Sequence, residues 1–178
     1  SAAFAQNSFS GLESLFTSPK SYTLFQTPVP LTMDGELNEI SWNDTPWTDY
    51  FINIEGENKP SPAHKTRVKM LWDTDYLYIA AELEEPHLWA NKQDEKDIIF
   101  RDNVFKVFID PDNNVNDDFE IQINPDNKML FLIMNKPYRD GGVPVTGWQP
   151  IGYKSGVKLM GTLNIADDTD KGWIAEIA

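Results

Sequence analysis

The sequence predicts an all-β fold, an antiparallel two-layer β-sandwich of immunoglobulin-like or jelly-roll-like type with a short peripheral N-terminal helix. Three observations predict it. At least eight short runs alternate apolar with polar side chains, turn residues separate those runs, and no long stretch carries apolar residues at helical spacing. A chain of 178 residues buries one core without staples. We therefore expect residues 1–25 to form a tail and 26–178 the sandwich.

At the N-terminus, Phe9, Leu12, Leu15 and Phe16 fit one face of a short helix that Ser8 or Ser10 can cap. Before it, Ala3-Phe-Ala5 has the small-x-small pattern of a signal-peptidase site, which predicts export: secreted, periplasmic or cell-surface. Thr27-Pro-Val-Pro30 leads in extended form to Met33-Asp-Gly35, a tight turn, and Glu36 to Trp42 has room for a single helical turn. Thr48 to Ile54 reads as the first strand, and Glu55 to Ala63, with Gly56, Pro60 and Pro62, as a loop.

Thr66 to Trp72 and Tyr76 to Glu84 form a hairpin through Asp73-Thr-Asp75. Val68, Met70 and Trp72 share one face; Leu77, Ile79, Ala81 and Leu83 match it, while Tyr76, Tyr78, Glu82 and Glu84 point the other way. Glu85 to Asp97 is a long polar loop, of the kind that often carries function.

The central hairpin follows. Phe105, Val107 and Ile109 alternate with Lys106 and Phe108, and Phe119, Ile121 and Ile123 alternate with Glu120, Gln122 and Asn124, as in a half-buried antiparallel pair. The loop between them holds Asp110, Asp112, Asn113, Asn114, Asn116, Asp117 and Asp118, more oxygen than a connection needs. It opens like a helix-loop-helix calcium site. However, Val115 replaces the required glycine and Ile121 the bidentate glutamate, which rejects that motif. A looser Ca2+ cage of Asp110, Asp112, Asn114, Asp117 and Asp118, or a plain solvated turn, remain the two readings. Beyond it, Asn127 suits a turn at positive φ, Lys128 to Asn135 is a strand, and Lys136 to Gly156 is a Gly- and Pro-rich loop. Val157 to Asn164 and Gly172 to Ala178 are the last strands, and the chain is expected to continue past Ala178.

Twenty-eight acidic against 15 basic residues give a net charge of -13, which repels nucleic acid and anionic lipid. No run approaches the roughly 20 apolar residues of a membrane span. Without cysteine there is no disulfide, thiol nucleophile or thiolate metal site. No G-x-S-x-G or H-E-x-x-H is present, and His64 and His87 lack a triad pattern. Paired carboxylates remain as an enzymatic alternative. An acidic chain always contains such pairs, so their presence decides nothing.

Several stretches, in order from about residue 27 to the end, resemble the family 9 carbohydrate-binding modules of secreted xylan- and glucan-degrading enzymes. They are Met33-Asp-Gly35 with Trp42, Val68 to Ile79, Asp102 to Asp112, Asp118 to Asn124, and Gly172 to Ile177. The resemblance implies a β-sandwich that grips neutral sugar between aromatic faces, structural calcium, no catalysis, and attachment to or partnership with a polysaccharide-degrading enzyme. It places Phe100 at an aromatic platform, Lys106 where an acidic residue is usual, and Gln122 and Asn124 facing sugar. Trp89, Trp148 and Arg139, in polar loops, complete the candidate sugar contacts. Trp42, Trp72 and Trp173 read as core. A sandwich that serves structure or protein binding, its sugar platform lost, is the competing function, and Lys106 is the departure that favours it.

Overall fold

The computed structural model describes residues 20–56, 58–90 and 99–178. The expected helix over 8–16, the residues before it and part of the loop over 85–97 lie outside the described residues.

Two sheets carry the fold. The five-stranded sheet runs β1-β2-β3-β9-β8, from β1 (Phe25–Gln26), β2 (Thr66–Trp72), β3 (Leu77–Leu83), β8 (Ser155–Leu159) and β9 (Trp173–Ile177). The four-stranded sheet runs in sequence order through β4 (Phe105–Ile109), β5 (Asp118–Ile123), β6 (Met129–Met134) and β7 (Pro144–Val145). All pairs are antiparallel except β1 with β2. The one α-helix described, α1 (Ile40–Asn43), is the expected single turn. Among the described residues no helix is long and apolar enough to cross a membrane.

Strand alternation puts Val68, Ile79, Ala81, Trp173, Ala175 and Ile177 of one sheet against Phe105 and Ile123 of the other, and these form the inter-sheet core. The opposite face of β2 and β3 is also covered. Leu71, Tyr78 and Ala80 pack there against Leu31 and Trp42 in a second core, so Tyr78, read as pointing away from the core, is fully buried. The segment before β2 supplies this cover. It is fastened at Glu176 on β9, whose carboxylate accepts from Trp42 Nε1 at 2.9 Å, Gly35 N at 2.6 Å and Asp34 N at 3.2 Å. Gly35, at φ +85°, lies so close to β8 that an added Cβ would sit 2.4 Å from Lys158 N, so both backbone sign and space require glycine. Trp72, read as core, is 41% exposed at the end of β2, on the face that Val68 and Met70 share.

The expected strand over 48–54 is an irregular ribbon instead. It touches the edge of β2 through Thr48 N to Val68 O and Phe51 N to Thr66 O, both 2.8 Å. It then turns at Asn53 to Gly56, too soon for a continued ladder. Side chains satisfy the edge donors that the ribbon misses: Val68 N donates to Thr48 Oγ1 at 3.1 Å and Met70 N to Tyr22 OH at 3.3 Å. The strand expected over 157–164 ends at Leu159, because Gly161 and Thr162 turn around Asp170, whose carboxylate accepts from Thr162 N and Leu88 N, each at 2.7 Å.

Candidate functional site

On the four-stranded sheet, the register sets Lys106 opposite Gln122 and Phe108 opposite Glu120, on the face turned away from the inter-sheet core. The expected half-buried alternation holds in β4, where Lys106 and Phe108 are exposed, and fails in β5. Glu120 and Gln122 are almost wholly buried on that outer face, although their partners Ile121 and Ile123 fill the inner one. Burial of a carboxylate demands partners, and Glu120 has three. Its Oε1 accepts from Gln122 Nε2 at 2.6 Å and Lys106 Nζ at 3.1 Å, and its Oε2 from Tyr138 OH at 2.7 Å. Burial, and the carboxylate beside it, push the Tyr138 hydroxyl up to about 12, so it stays a donor. Gln122 Oε1 is buried and, among the described residues, has no hydrogen-bond partner.

Phe100 stands beside this cluster on the 3-10 turn Ile99–Arg101, half exposed, with Lys106 Nζ 5.9 Å from its ring centroid. The short loop over 85–90 reaches the same region. Trp89 N donates to Asn103 Oδ1 at 2.6 Å, and Asn103 lies three residues after Phe100. Asn164 brackets Ala90 through its amide, at 2.9 and 2.8 Å, so the loop is held at both sides. Trp89 itself is 44% exposed.

Other candidates are placed elsewhere. Asn124 is fully buried in a turn: its Oδ1 accepts from Asp126 N and Lys128 N, and its Nδ2 donates to Asp102 Oδ2 at 3.0 Å. Those bonds occupy the polar head that was expected to face sugar. Trp148 stacks on Phe119 at 4.9 Å and meets Phe131 edge-on, both residues of the inner-facing alternation. It therefore pins its loop on the other side of the sheet from Lys106 and Gln122. Arg139 is largely exposed and pairs with its neighbour Asp140 at 3.6 Å.

The acidic loop is closed on itself. The backbone N–H groups of Val115 and Asn114 hold the Asp110 carboxylate below the usual carboxylate range. Asp112 accepts from Asn114 Nδ2 at 2.7 Å. Asp118 is pushed up by burial and then by the charges of Asp110, Asp112 and Asp117. Among the described residues no three carboxylates or histidines converge as a cation site requires.

Glu120 and Tyr138 are the residues that sequence reading left out of the site. For Glu120 the signal was present, since it shares its strand face with Gln122. For Tyr138, in an irregular loop, there was none. Together the cluster offers groups of the kind a sugar ring uses: an aromatic face, an ammonium donor and a phenol.

Comparison with known proteins bears on this arrangement. Residues 33–146 match a family described as carbohydrate family 9 binding domain-like. Endo-1,4-beta-xylanase A of Thermotoga maritima is 30% identical over 141 residues, which are 76% of this chain and 11% of that enzyme's length. Two solved structures of a family 9 carbohydrate-binding module from Caldicellulosiruptor kristjanssonii, one with cellotriose and one with glucose, align with TM-scores of 0.53 and 0.52. Both are 18% identical and cover 86% of this chain and 65% and 66% of their own. At that identity the likeness establishes the fold.

Proposed function

We propose, since the chain belongs to the carbohydrate family 9 binding domain-like family, that it is a non-catalytic module binding neutral oligo- or polysaccharides. The observation that carries the reading is the half-exposed Phe100 ring beside the Lys106–Glu120–Gln122–Tyr138 cluster. A pyranose stacks its C–H face on Phe100. Its hydroxyls meet the N–H bonds of Lys106 that are left free, while Glu120, itself held by the buried Gln122 amide, fixes that ammonium in place. The glucose and cellotriose complexes of the similar module support a gluco-configured ligand, and the xylanase relative supports xylan as the alternative backbone.

The same cluster supports the non-catalytic reading. Glycoside hydrolysis generally needs two carboxylates flanking the bond, whereas this site is built on one, with both oxygens already accepting hydrogen bonds. Export, and attachment to or association with a polysaccharide-degrading enzyme, complete the proposal, the matching relative being such an enzyme.

Calorimetry with cello- and xylo-oligosaccharides tests it. One stacked ring and a few solvent-competed hydrogen bonds, each worth about 0.5–1.5 kcal/mol, predict micromolar to millimolar dissociation constants. Phe100→Ala is expected to weaken binding about tenfold at unchanged melting temperature. No heat with any neutral glycan would refute sugar binding, and release of reducing ends would refute the absence of catalysis.

A further inference from the structure

We propose a second glycan-binding groove along the opposite sheet, resting on the reading of this chain as a sugar binder and distinct from the Phe100 site. A cleft of about 670 Å³ runs beside the edge of β2, between Lys20–Tyr22 on one wall and Trp47–Ile52 on the other. Its size is that of a site for a small organic ligand. Tyr50 and Phe51 are 47% and 45% exposed there, and Trp47 lines the cleft as well.

These rings are not loose surface side chains. Arg67 and Lys69, rising from the outer face of β2, hold Trp47 at 4.4 and 4.6 Å, and Lys65 and Arg67 hold Tyr50 at 5.3 and 5.7 Å. The Tyr22 hydroxyl is fixed between Pro46 O and Met70 N, and Thr48 and Phe51 are bonded to the β2 backbone. The groove thus presents aromatic surface on a frame that is already rigid, which lowers the ordering cost of binding.

Charge selects the occupant. Lys20 Nζ pairs with Asp49 Oδ2 at 3.5 Å across the cleft and Arg67 pairs with Glu82 behind the rings, and the chain's charge of -13 disfavours an anion. Thr48, Ser21 and Asp49 add hydroxyl and carboxylate oxygens among the rings. Aromatic faces interleaved with small polar groups and paired charges suit a neutral oligosaccharide. With the Phe100 site on the other sheet, a long glycan chain held at both points gains avidity.

The test uses the 15N-labelled chain carrying Phe100→Ala, titrated with cellohexaose and xylohexaose. The Trp47 indole N–H resonance is expected to shift saturably, and adding Phe51→Ala, or Tyr50→Ala as a second variant, to abolish that shift at unchanged melting temperature. In the otherwise unaltered chain, Phe51→Ala is expected to lower retention on an insoluble glucan or xylan about tenfold and to leave glucose binding unchanged. A Trp47 resonance that stays still in the Phe100→Ala background, while the unaltered chain binds oligosaccharide, overturns the second groove alone. If the unaltered chain binds no glycan at all, the sugar-binding reading falls and the groove with it.

Discussion

Replacing Glu176 by glutamine is expected to change the pH dependence of stability by about 3 kcal/mol. The carboxyl has no solvent exposure, and burial pushes it up to about 7 from 4.5, against the N–H groups of Gly35, Trp42 and Asp34, which favour the anion. A group whose folded value is raised contributes stability that is fully present below the unfolded value and lost as pH rises through the folded one. Between pH 4.5 and 7 the folded chain therefore binds more protons than the unfolded chain, and stability falls. The span of about 2.5 units at 1.36 kcal/mol per unit gives about 3 kcal/mol. Glutamine is neutral at every pH, keeps the size of the protonated acid and removes this slope, while all other titrations are shared and cancel in the difference. Urea unfolding followed by tryptophan fluorescence from pH 4.5 to 8.5 measures it. At pH 4.5 the variant is expected to be the less stable by about 1–3 kcal/mol, because the amide NH2 replaces an acceptor oxygen and leaves a buried N–H unpaired. By pH 8 the difference should have moved in the variant's favour by about 3 kcal/mol, or roughly 6–12 °C in Tm. Parallel curves would refute the reasoning. A variant that loses ground as pH rises would show that the three N–H donors outweigh burial and that Glu176 stays ionised.

Tyr22→Phe removes the acceptor for Met70 N and the donor to Pro46 O, and should cost about 1–2 kcal/mol in a thermal melt, because the β2 edge keeps a half-buried N–H without a partner. Val115→Asn should stabilise by about 0.5–1 kcal/mol in the same assay: Val115 sits at φ +59°, where a β-branched side chain is strained and asparagine is tolerated, and it is half exposed, so little packing is lost. Lys106→Met leaves Glu120 buried without its cation; the lysine is one-third exposed, so the cost is about 1–2 kcal/mol rather than that of a fully buried pair, and denaturant midpoints at pH 7 should report it.

Of the motifs that made the family legible in sequence, those outside the central hairpin turn out to be fasteners. Met33-Asp-Gly35 with Trp42, and Gly172 to Ile177, lie far apart in sequence and meet at Glu176. The stretch Trp72-Asp-Thr-Asp-Tyr-Leu-Tyr78 is a hairpin whose Asp73 accepts from Asp75 N, Tyr76 N and Tyr78 OH. Such residues read well from sequence because each is fixed by a backbone sign, a turn or a period-2 alternation. The second core was invisible for the complementary reason. Period 2 says that Leu71, Tyr78 and Ala80 share the face opposite the inter-sheet core, but not that an irregular segment carrying Leu31 and Trp42 will cover it.

The proposed sugar site was half legible by the same logic. Alternation put Lys106 and Gln122 on one face, yet the departure of Lys106 from the usual acid looked like loss of a contact. The structure places a carboxylate diagonally across the ladder, at Glu120, with Lys106 Nζ 3.1 Å away. The cluster thus contains both an ammonium and a carboxylate, with the two signs on adjacent strands. What a ligand hydroxyl meets is the set of groups that converge at one point, not the residue type at one position. A lysine that looks like a defect along β4 is therefore a donor once β5 is beside it. The distinction matters for Asn124 in the opposite sense. Its residue type suits a sugar, but its Oδ1 is bonded within its own turn and its Nδ2 to Asp102, so the donor and acceptor it was expected to offer are already taken.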